Sequence, residues 1–216
     1  MLPVSDRQIV LHTTKYSENA VVVHALSRNW GRRGFLVHGA GKVTSRLLPL
    51  NINEVEVIPN RMSSLYVERA INVLHPLAGI RGNMFKNSIT LFVSEVLFKA
   101  LPDNVTDESL YDWCENEILV LDSMDNNFAN YHLHFLLGLC ARLGYAPDWN
   151  SLLPFAGEHI LEVQKLFGAS FAEAMALPLT GEVRSEIADS LVKYLEFHSE
   201  KTIRIRSLEV LRSLFV

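Results

Sequence analysis

The fold of this chain is decided by residues 8–42, which read QIVLHTTKYSENAVVVHALSRNWGRRGFLVHGAGK. The apolar residues of this stretch form three short runs, separated by Ser, Asn and Gly, at 8–12, 20–26 and 34–38. Apolar runs of this length, rich in Val and bounded by turn-forming residues, are typical of β-strands. Two more runs of the same kind follow at 53–58 and 65–74. The sequence therefore predicts five strands in the first 74 residues.

Five short strands predict a closed β-barrel, because closure leaves no unpaired sheet edge exposed. After Pro76 the apolar residues recur every three to four positions, which is the period of an amphipathic helix. Helices are predicted at 83–101, from 107, from 127 to about 144, and at 158–167, 170–177, 181–198 and 207–215. The predicted fold class is α+β, with an OB-fold-like barrel at 1–74 and an all-α helical domain at 75–216.

Charge is distributed unevenly along the 216 residues, although the net charge is only -4. Residues 1–72 hold nine Lys and Arg against five Asp and Glu, whereas the remainder holds eleven against nineteen. A basic first part joined to an acidic remainder predicts two units with different partners. The sequence has no apolar run long enough to cross a bilayer and no secretory signal pattern, so we expect a cytoplasmic protein without a membrane partner.

The residue types that carry catalysis do not stand at catalytic spacings. The eight histidines include no HExxH pattern, and the glycines before Lys42 lack the first glycine and the final Ser or Thr of a phosphate-binding loop. Cys114 and Cys140 form no CxxC pair, which excludes a four-cysteine zinc site. We therefore expect no enzymatic activity, no cofactor and no bound metal.

The remaining candidate is a basic surface with aromatic residues on the predicted turns of the barrel. Lys and Arg neutralise phosphates, and aromatic rings stack on unpaired bases at about 1–3 kcal/mol each. The turns therefore predict DNA contacts by Lys15, Tyr16, Arg28, Trp30, Arg32, Arg33, Lys42 and Arg46. An ordinary solvated loop surface fits the same pattern. Trp30 can equally belong to the barrel core, and for Phe35, inside a predicted strand, the core is favoured.

The stretch 8–42 resembles the N-terminal barrel of the RecO family of bacterial DNA repair and recombination proteins. The matching features are a Val-Leu strand end, a Tyr-Ser-Glu loop, an apolar second strand and a Gly-Arg turn before Phe-x-Val-x-Gly, at 10–11, 16–18, 21–26, 31–32 and 35–39. Three later segments resemble the family's helical domain in the same order, at 86–101, 128–148 and 205–215. Many members carry a four-cysteine zinc module that is missing from residues 144–160, so the chain is similar to a zinc-free branch.

The resemblance implies a recombination mediator and not an enzyme. Such a protein binds single- and double-stranded DNA, anneals complementary strands, and works with RecR to help load RecA onto DNA coated by single-strand-binding protein. The resemblance also implies that the helical domain binds the acidic, apolar-ended tail of single-strand-binding protein, for which we predict Lys201, Arg204, Arg206 and Arg212. The alternative is an interaction scaffold whose barrel binds a peptide partner and never touches nucleic acid.

Overall fold

The chain forms two compact units, and the computed structural model describes residues 2–39, 41, 43–60, 63–145 and 147–214. The first unit comprises residues 1–78 and 97–119, and the second comprises 79–96 and 120–216. The predicted boundary between 74 and 75 remains a prediction. The first unit extends beyond it, because residues 97–119 join the barrel.

The first unit is built on a closed barrel of five strands. These are β1 (Val4–Ser17), β2 (Ala20–Ser27), β3 (Gly31–His38), β4 (Ile52–Ile58) and β5 (Tyr66–Val73). The strands follow the order β1-β2-β3-β5-β4 around the barrel, and the short β3–β5 contact is parallel whereas the others are antiparallel. A 3-10 turn, Thr44–Leu47, lies between β3 and β4. The predicted OB-fold-like barrel is confirmed.

The barrel interior is filled by side chains that alternate along the strands, as a sheet with one buried face requires. Phe35 is fully buried there, which confirms its predicted place in the core. The interior cluster consists of Val10, Val23, Ala25, Phe35, Val37, Leu47, Val55, Val57 and Ile71. Asp6 and Glu68 are also buried in the first unit, so two carboxyl groups are withdrawn from water.

Helices form most of the rest of the described chain, and each predicted helix lies close to its predicted position; the short helices at 78–81 and 149–152 were not predicted. The helices are α1 (Ala78–Arg81), α2 (Met84–Ala100), α3 (Glu108–Ser123), α4 (Tyr131–Arg142), α5 (Trp149–Leu152), α6 (Ile160–Gly168), α7 (Phe171–Ala176), α8 (Gly181–Ser199) and α9 (Ser207–Leu214). The end of α2 and most of α3 belong to the first unit. No helix among the described residues combines the length and the apolar character that crossing a membrane requires.

In the second unit α4 packs against α8, and their apolar faces form much of its core. His132 of α4 is buried there and meets the ring of Phe92 edge-on at 5.7 Å. Cys140, also in α4, is a buried free thiol, as is Cys114 in the first unit. Both cysteines therefore act as small core residues.

Candidate nucleic-acid interface

Arg28 follows β2, and carboxylates of α3 hold its guanidinium. Its Nε and Nη2 donate to Oδ1 and Oδ2 of Asp112 at 3.0 and 3.2 Å, and Nη2 also lies 3.0 Å from Oε2 of Glu108. The hydrogen bond between Arg28 and Asp112 raises the pKa of the guanidinium and lowers the pKa of the carboxyl. The Arg28 side chain is still 36% exposed. Arg28 is therefore an ion-paired surface residue that solvent and ligands can reach.

Arg32 is packed more deeply against the residues that follow α2. Its Nε donates to the carbonyl of Leu101 at 3.0 Å, and its Nη2 lies 2.8 Å from Oδ1 of Asp103. The guanidinium lies 5.2 Å from the ring centroid of Phe98, which also contacts the ring of His24. Only 15% of the Arg32 side chain is exposed. Two of its three nitrogens are therefore engaged within the protein, and the side chain is less accessible than that of Arg28.

Arg33 and Trp30 both contact Tyr66 at the start of β5. The Arg33 guanidinium lies 4.0 Å from the Tyr66 ring centroid, and its Nε donates to Oδ1 of Asn104 at 2.6 Å. The Trp30 ring is half-buried and meets the Tyr66 ring edge-on at 5.7 Å. Arg33 has no carboxylate partner in the described part of the chain, so its charge stays available. Trp30 supports Tyr66 from the side.

The segment between α2 and α3, residues 101–107, is fastened to the barrel by its backbone. The amide of Asn104 donates to the carbonyl of Arg32 at 2.9 Å. Gly31 adopts a φ of +66°, and a Cβ at this position would lie 2.1 Å from the carbonyl oxygen of Val105. The close approach therefore depends on glycine and on backbone hydrogen bonding. Side-chain contacts of Arg32 and Arg33 with residues 101–104 add to it.

A second basic feature is a cleft of about 530 Å³ lined by the end of β3, the Thr44–Leu47 turn and the middle of β5. Its polar rim consists of the exposed residues His38, Arg46 and Arg69. Arg46 is positioned by a hydrogen bond from Nη1 to the carbonyl of Ile71. Within the residues that the structure describes, neither arginine has a carboxylate at ion-pair distance. Both charges can therefore act on an anion in the cleft.

Glu68 also lines this cleft, but its carboxyl group does not cancel the rim charge. The residue is 3% exposed, and its Oε2 has no hydrogen-bond partner among the described atoms. Burial, with a smaller contribution from the nearby Asp6 carboxylate, raises the pKa of Glu68 to about 8. The carboxyl is therefore mostly protonated at neutral pH, and the cleft keeps the positive charge of Arg46 and Arg69.

The remaining predicted DNA contacts lie elsewhere. Lys15 and Tyr16 lie near the end of the β1–β2 hairpin, and both are exposed, Tyr16 by 61%. Lys42 lies outside the described residues. The structure thus brings Arg28, Arg32 and Arg33 to α3 and the segment before it, Trp30 to Tyr66 on the barrel, and Arg46 to the cleft. DNA contact by these residues remains a prediction.

Sequence reasoning missed Arg69 and the acidic partners of the arginines. The sequence of β5 could have indicated that Arg69 is a candidate, because successive side chains of a strand point to opposite faces and one of Glu68 and Arg69 must therefore point outward. Nothing in the spacing of Asp103 and Asp112 indicates which barrel residues they meet. That contact depends on how residues 97–119 fold back on the barrel.

The basic residues predicted for a protein partner lie near the end of the second unit. Arg212 pairs with Asp189, and both line a cleft that also contains Glu182 and Glu186. Arg206 donates its backbone amide to Oε1 of Glu95 at 3.2 Å. Arg206, Lys201 and Arg204 are all exposed. Arg212 is therefore surrounded by carboxylates, which would repel an acidic tail. Of the four predicted residues it fits such a partner least well.

Within the described ranges, no cluster of three or more His, Cys, Asp or Glu side chains is arranged to hold an ion.

Comparison with known proteins gives a consistent result along the chain. A family model described as "Recombination protein O N terminal" matches residues 1–76, and one described as "Recombination protein O C terminal" matches 81–152. A DNA repair protein RecO from Porphyromonas gingivalis is 29% identical over 244 aligned residues, covering 98% of this chain and 99% of that protein. A protein of the same name from Flavobacterium psychrophilum is 24% identical, covering 99% and 100% of the two chains.

Proposed function

This chain belongs to the RecO family of DNA repair proteins, and from that premise we propose that it is a recombination mediator whose barrel binds DNA. The observation that carries the proposal is the cleft bordered by Arg46 and Arg69, where two arginines without carboxylate partners in the described residues lie beside the buried Glu68, whose pKa burial raises to about 8. Such a rim attracts phosphates, and phosphate contacts supply the main part of affinity for nucleic acid. The protein acts by binding and makes or breaks no covalent bond.

The proposed DNA surface combines the cleft with the β1–β2 hairpin and Arg33. Lys15 and Tyr16 of the hairpin are exposed, so a phosphate can reach the amine and a base can stack on the ring. Lys42 stays in the proposal because it belongs to the basic stretch that resembles the family. Arg28, Arg32 and Trp30 contribute less, because carboxylates or aromatic packing already engage them.

Fluorescence anisotropy with labelled single-stranded DNA tests this surface. The variant carrying Lys15→Gln and Arg69→Gln should bind more weakly, and the slope of log K against log salt should become shallower by about 1.4, or about 0.7 for each lost phosphate contact. The matched control carries Lys165→Gln and Lys193→Gln, two exposed cations of the second unit. If the two variants bind DNA with equal affinity, the cleft and the hairpin do not contact the DNA. Absence of salt-dependent binding by the unaltered protein would favour the peptide-binding scaffold.

Family membership supports a proposal for the finer activities. We propose that the protein binds single- and double-stranded DNA, anneals complementary strands, and with RecR helps RecA to load onto DNA that single-strand-binding protein covers. Its place of action is then the cytoplasm. Annealing needs a surface that screens two phosphate backbones while the bases stay free to pair, and cations on an open surface fit that need. A strand-annealing assay without nucleotide is the direct measurement.

We propose that the tail of single-strand-binding protein docks on the second unit near the end of α8. Phe197 is 69% exposed there, and the basic residues Lys201, Arg204 and Arg206 follow it within nine positions. An exposed aromatic ring that is followed in the chain by cations suits an acidic peptide with an apolar end. Arg206→Gln and Phe197→Ala should each weaken binding of such a synthetic peptide and leave binding of naked DNA unchanged. Equal loss of both activities would contradict two separate sites.

A further inference from the structure

We infer that the carboxylates of Asp103, Glu108 and Asp112 act as an internal polyanion that occupies Arg28, just before β3, and Arg32, at its start, and lowers the affinity of the barrel for DNA. The inference rests on the proposed function, since it concerns how DNA binding at the barrel is limited. It starts from the ion pairs that join Arg28 to Asp112 and Glu108 and join Arg32 to Asp103.

The ion pairs can exchange with solvent and with a competing anion. The acidic side chains are 54–63% exposed, and that of Arg28 is 36% exposed. Exposed pairs of this kind are weak, because water and salt screen them and both side chains lose freedom when they pair. A phosphate can therefore displace Asp112 from Arg28 without opening the structure.

The displaced carboxylates nevertheless remain close to the bound phosphate. Residues 101–107 are fixed to the barrel through the Asn104 amide and through the close contact between Gly31 and Val105. Because these contacts hold the chain just before α3 beside the barrel, a phosphate that replaces Asp112 at Arg28 lies within a few ångströms of the Asp112 and Glu108 carboxylates. That distance is shorter than the Debye length of about 8–10 Å at ordinary ionic strength, so salt screens the repulsion only partly.

The same geometry allows the charges to be removed by conservative substitutions. Asp103→Asn, Glu108→Gln and Asp112→Asn keep the approximate shape of the side chains and one acceptor oxygen on each, and none of the three side chains takes part in the backbone hydrogen bond from Asn104 to Arg32. The control variant removes three exposed carboxylates from the second unit by Asp125→Asn, Glu158→Gln and Glu182→Gln. Both variants change the net charge equally. A difference between their DNA affinities therefore depends on where the charges were removed.

The experiment is a titration of labelled single-stranded DNA, at about 50 mM salt, with the full-length protein and the two triple variants. We expect the triple variant at Asp103, Glu108 and Asp112 to bind about tenfold more tightly than the control triple, which corresponds to three exposed ion pairs of ordinary strength. Adding Arg28→Gln to both triple variants should remove a large part of the difference between their DNA affinities. Thermal unfolding followed by circular dichroism checks that all variants are folded.

Two results would overturn the inference, and they can be told apart. If the unaltered protein binds DNA and the two triple variants bind equally tightly, the acidic segment does not limit affinity and the proposed function stands. If no variant binds DNA at low salt, both the proposed function and the inference fail. Binding that appears only after the three acidic residues are neutralised would support both.

Discussion

Glu68 shows how burial determines the charge of a single residue. Its folded-state pKa of about 8 lies above the ordinary value of 4.5, mainly because burial disfavours the ionised form. The folded protein therefore holds this proton more tightly than the unfolded chain does. The associated stability is complete below about pH 4.5 and is lost as the pH rises to about 8, by up to about 1.4 kcal/mol per pH unit.

Glu68→Gln should flatten this dependence, because the amide keeps the volume and does not titrate. We expect the two proteins to have similar free energies of unfolding in urea near pH 5. Near pH 8 the variant should be more stable than the unaltered protein. The matched control is Glu56→Gln on the exposed face of β4, which should leave the slope unchanged. Identical slopes for Glu68→Gln and the unaltered protein would mean that Glu68 is ionised in the folded state.

His132 predicts the opposite pH dependence. Burial, and next the charge of Arg184, lowers its pKa from 6.5 to about 3. A lowered folded-state pKa means that stability is present above about pH 6.5 and is lost as the pH falls towards 3. We expect the His132 ring resonances in an NMR titration to keep the shifts of neutral imidazole down to about pH 4, with His132→Gln identifying the signals. Protonation of this ring between pH 6 and 7 would show that it is exposed to water.

At the scale of elements, the start of β3 depends on Gly31. A residue with a side chain would carry the cost of a left-handed backbone, about 1–3 kcal/mol, and its Cβ would collide with the carbonyl of Val105. Gly39 has a similar φ of +70° and open space around it, so Gly39→Ala carries the backbone cost alone. Gly31→Ala should therefore reduce the free energy of unfolding clearly more than Gly39→Ala, as urea denaturation would measure. Equal losses would indicate that residues 101–107 move aside easily.

The sequence predicted the elements better than their ends. Apolar runs located every strand, but β1 begins at Val4 and β3 at Gly31, in polar stretches where period-2 reasoning finds no pattern. Cross-strand pairing explains the extension, since Val4 pairs with Val57, and Arg33 pairs with Ala25. Backbone hydrogen bonds do not depend on side-chain polarity. Arg32 and Arg33 are therefore strand residues, although the sequence suggested a turn.

The candidate site was predictable only in part, for a related reason. Composition indicated basic residues in the barrel, and Arg46 does border a cleft there. Composition could not indicate that Arg28 and Arg32 meet the carboxylates of Asp112 and Asp103, which lie far along the chain, because those contacts depend on tertiary folding. The protonation of Glu68 is equally invisible in the sequence, since burial causes it.

At the scale of the whole molecule, residues 97–119 should behave as part of the barrel. They lie in the same compact unit as residues 1–78, and the Asn104 amide bonds to the Arg32 carbonyl within β3. Native-state hydrogen exchange should therefore give Asn104 a protection like that of the β3 amides. If the amides of residues 97–119 instead exchanged at the same free energy of opening as those of 79–96 and 120–216, the result would support independent units that divide near residue 75.

The two buried cysteines make this chain convenient for labelling. Cys114 and Cys140 are fully buried, and burial raises the pKa of Cys140 to about 12, so little reactive thiolate forms at neutral pH. A single cysteine introduced at an exposed position, such as Ser17 in the hairpin, would then react with a maleimide dye in the folded protein while the native thiols stay unmodified. Energy transfer from that dye to a labelled oligonucleotide could locate the bound strand without a cysteine-free background.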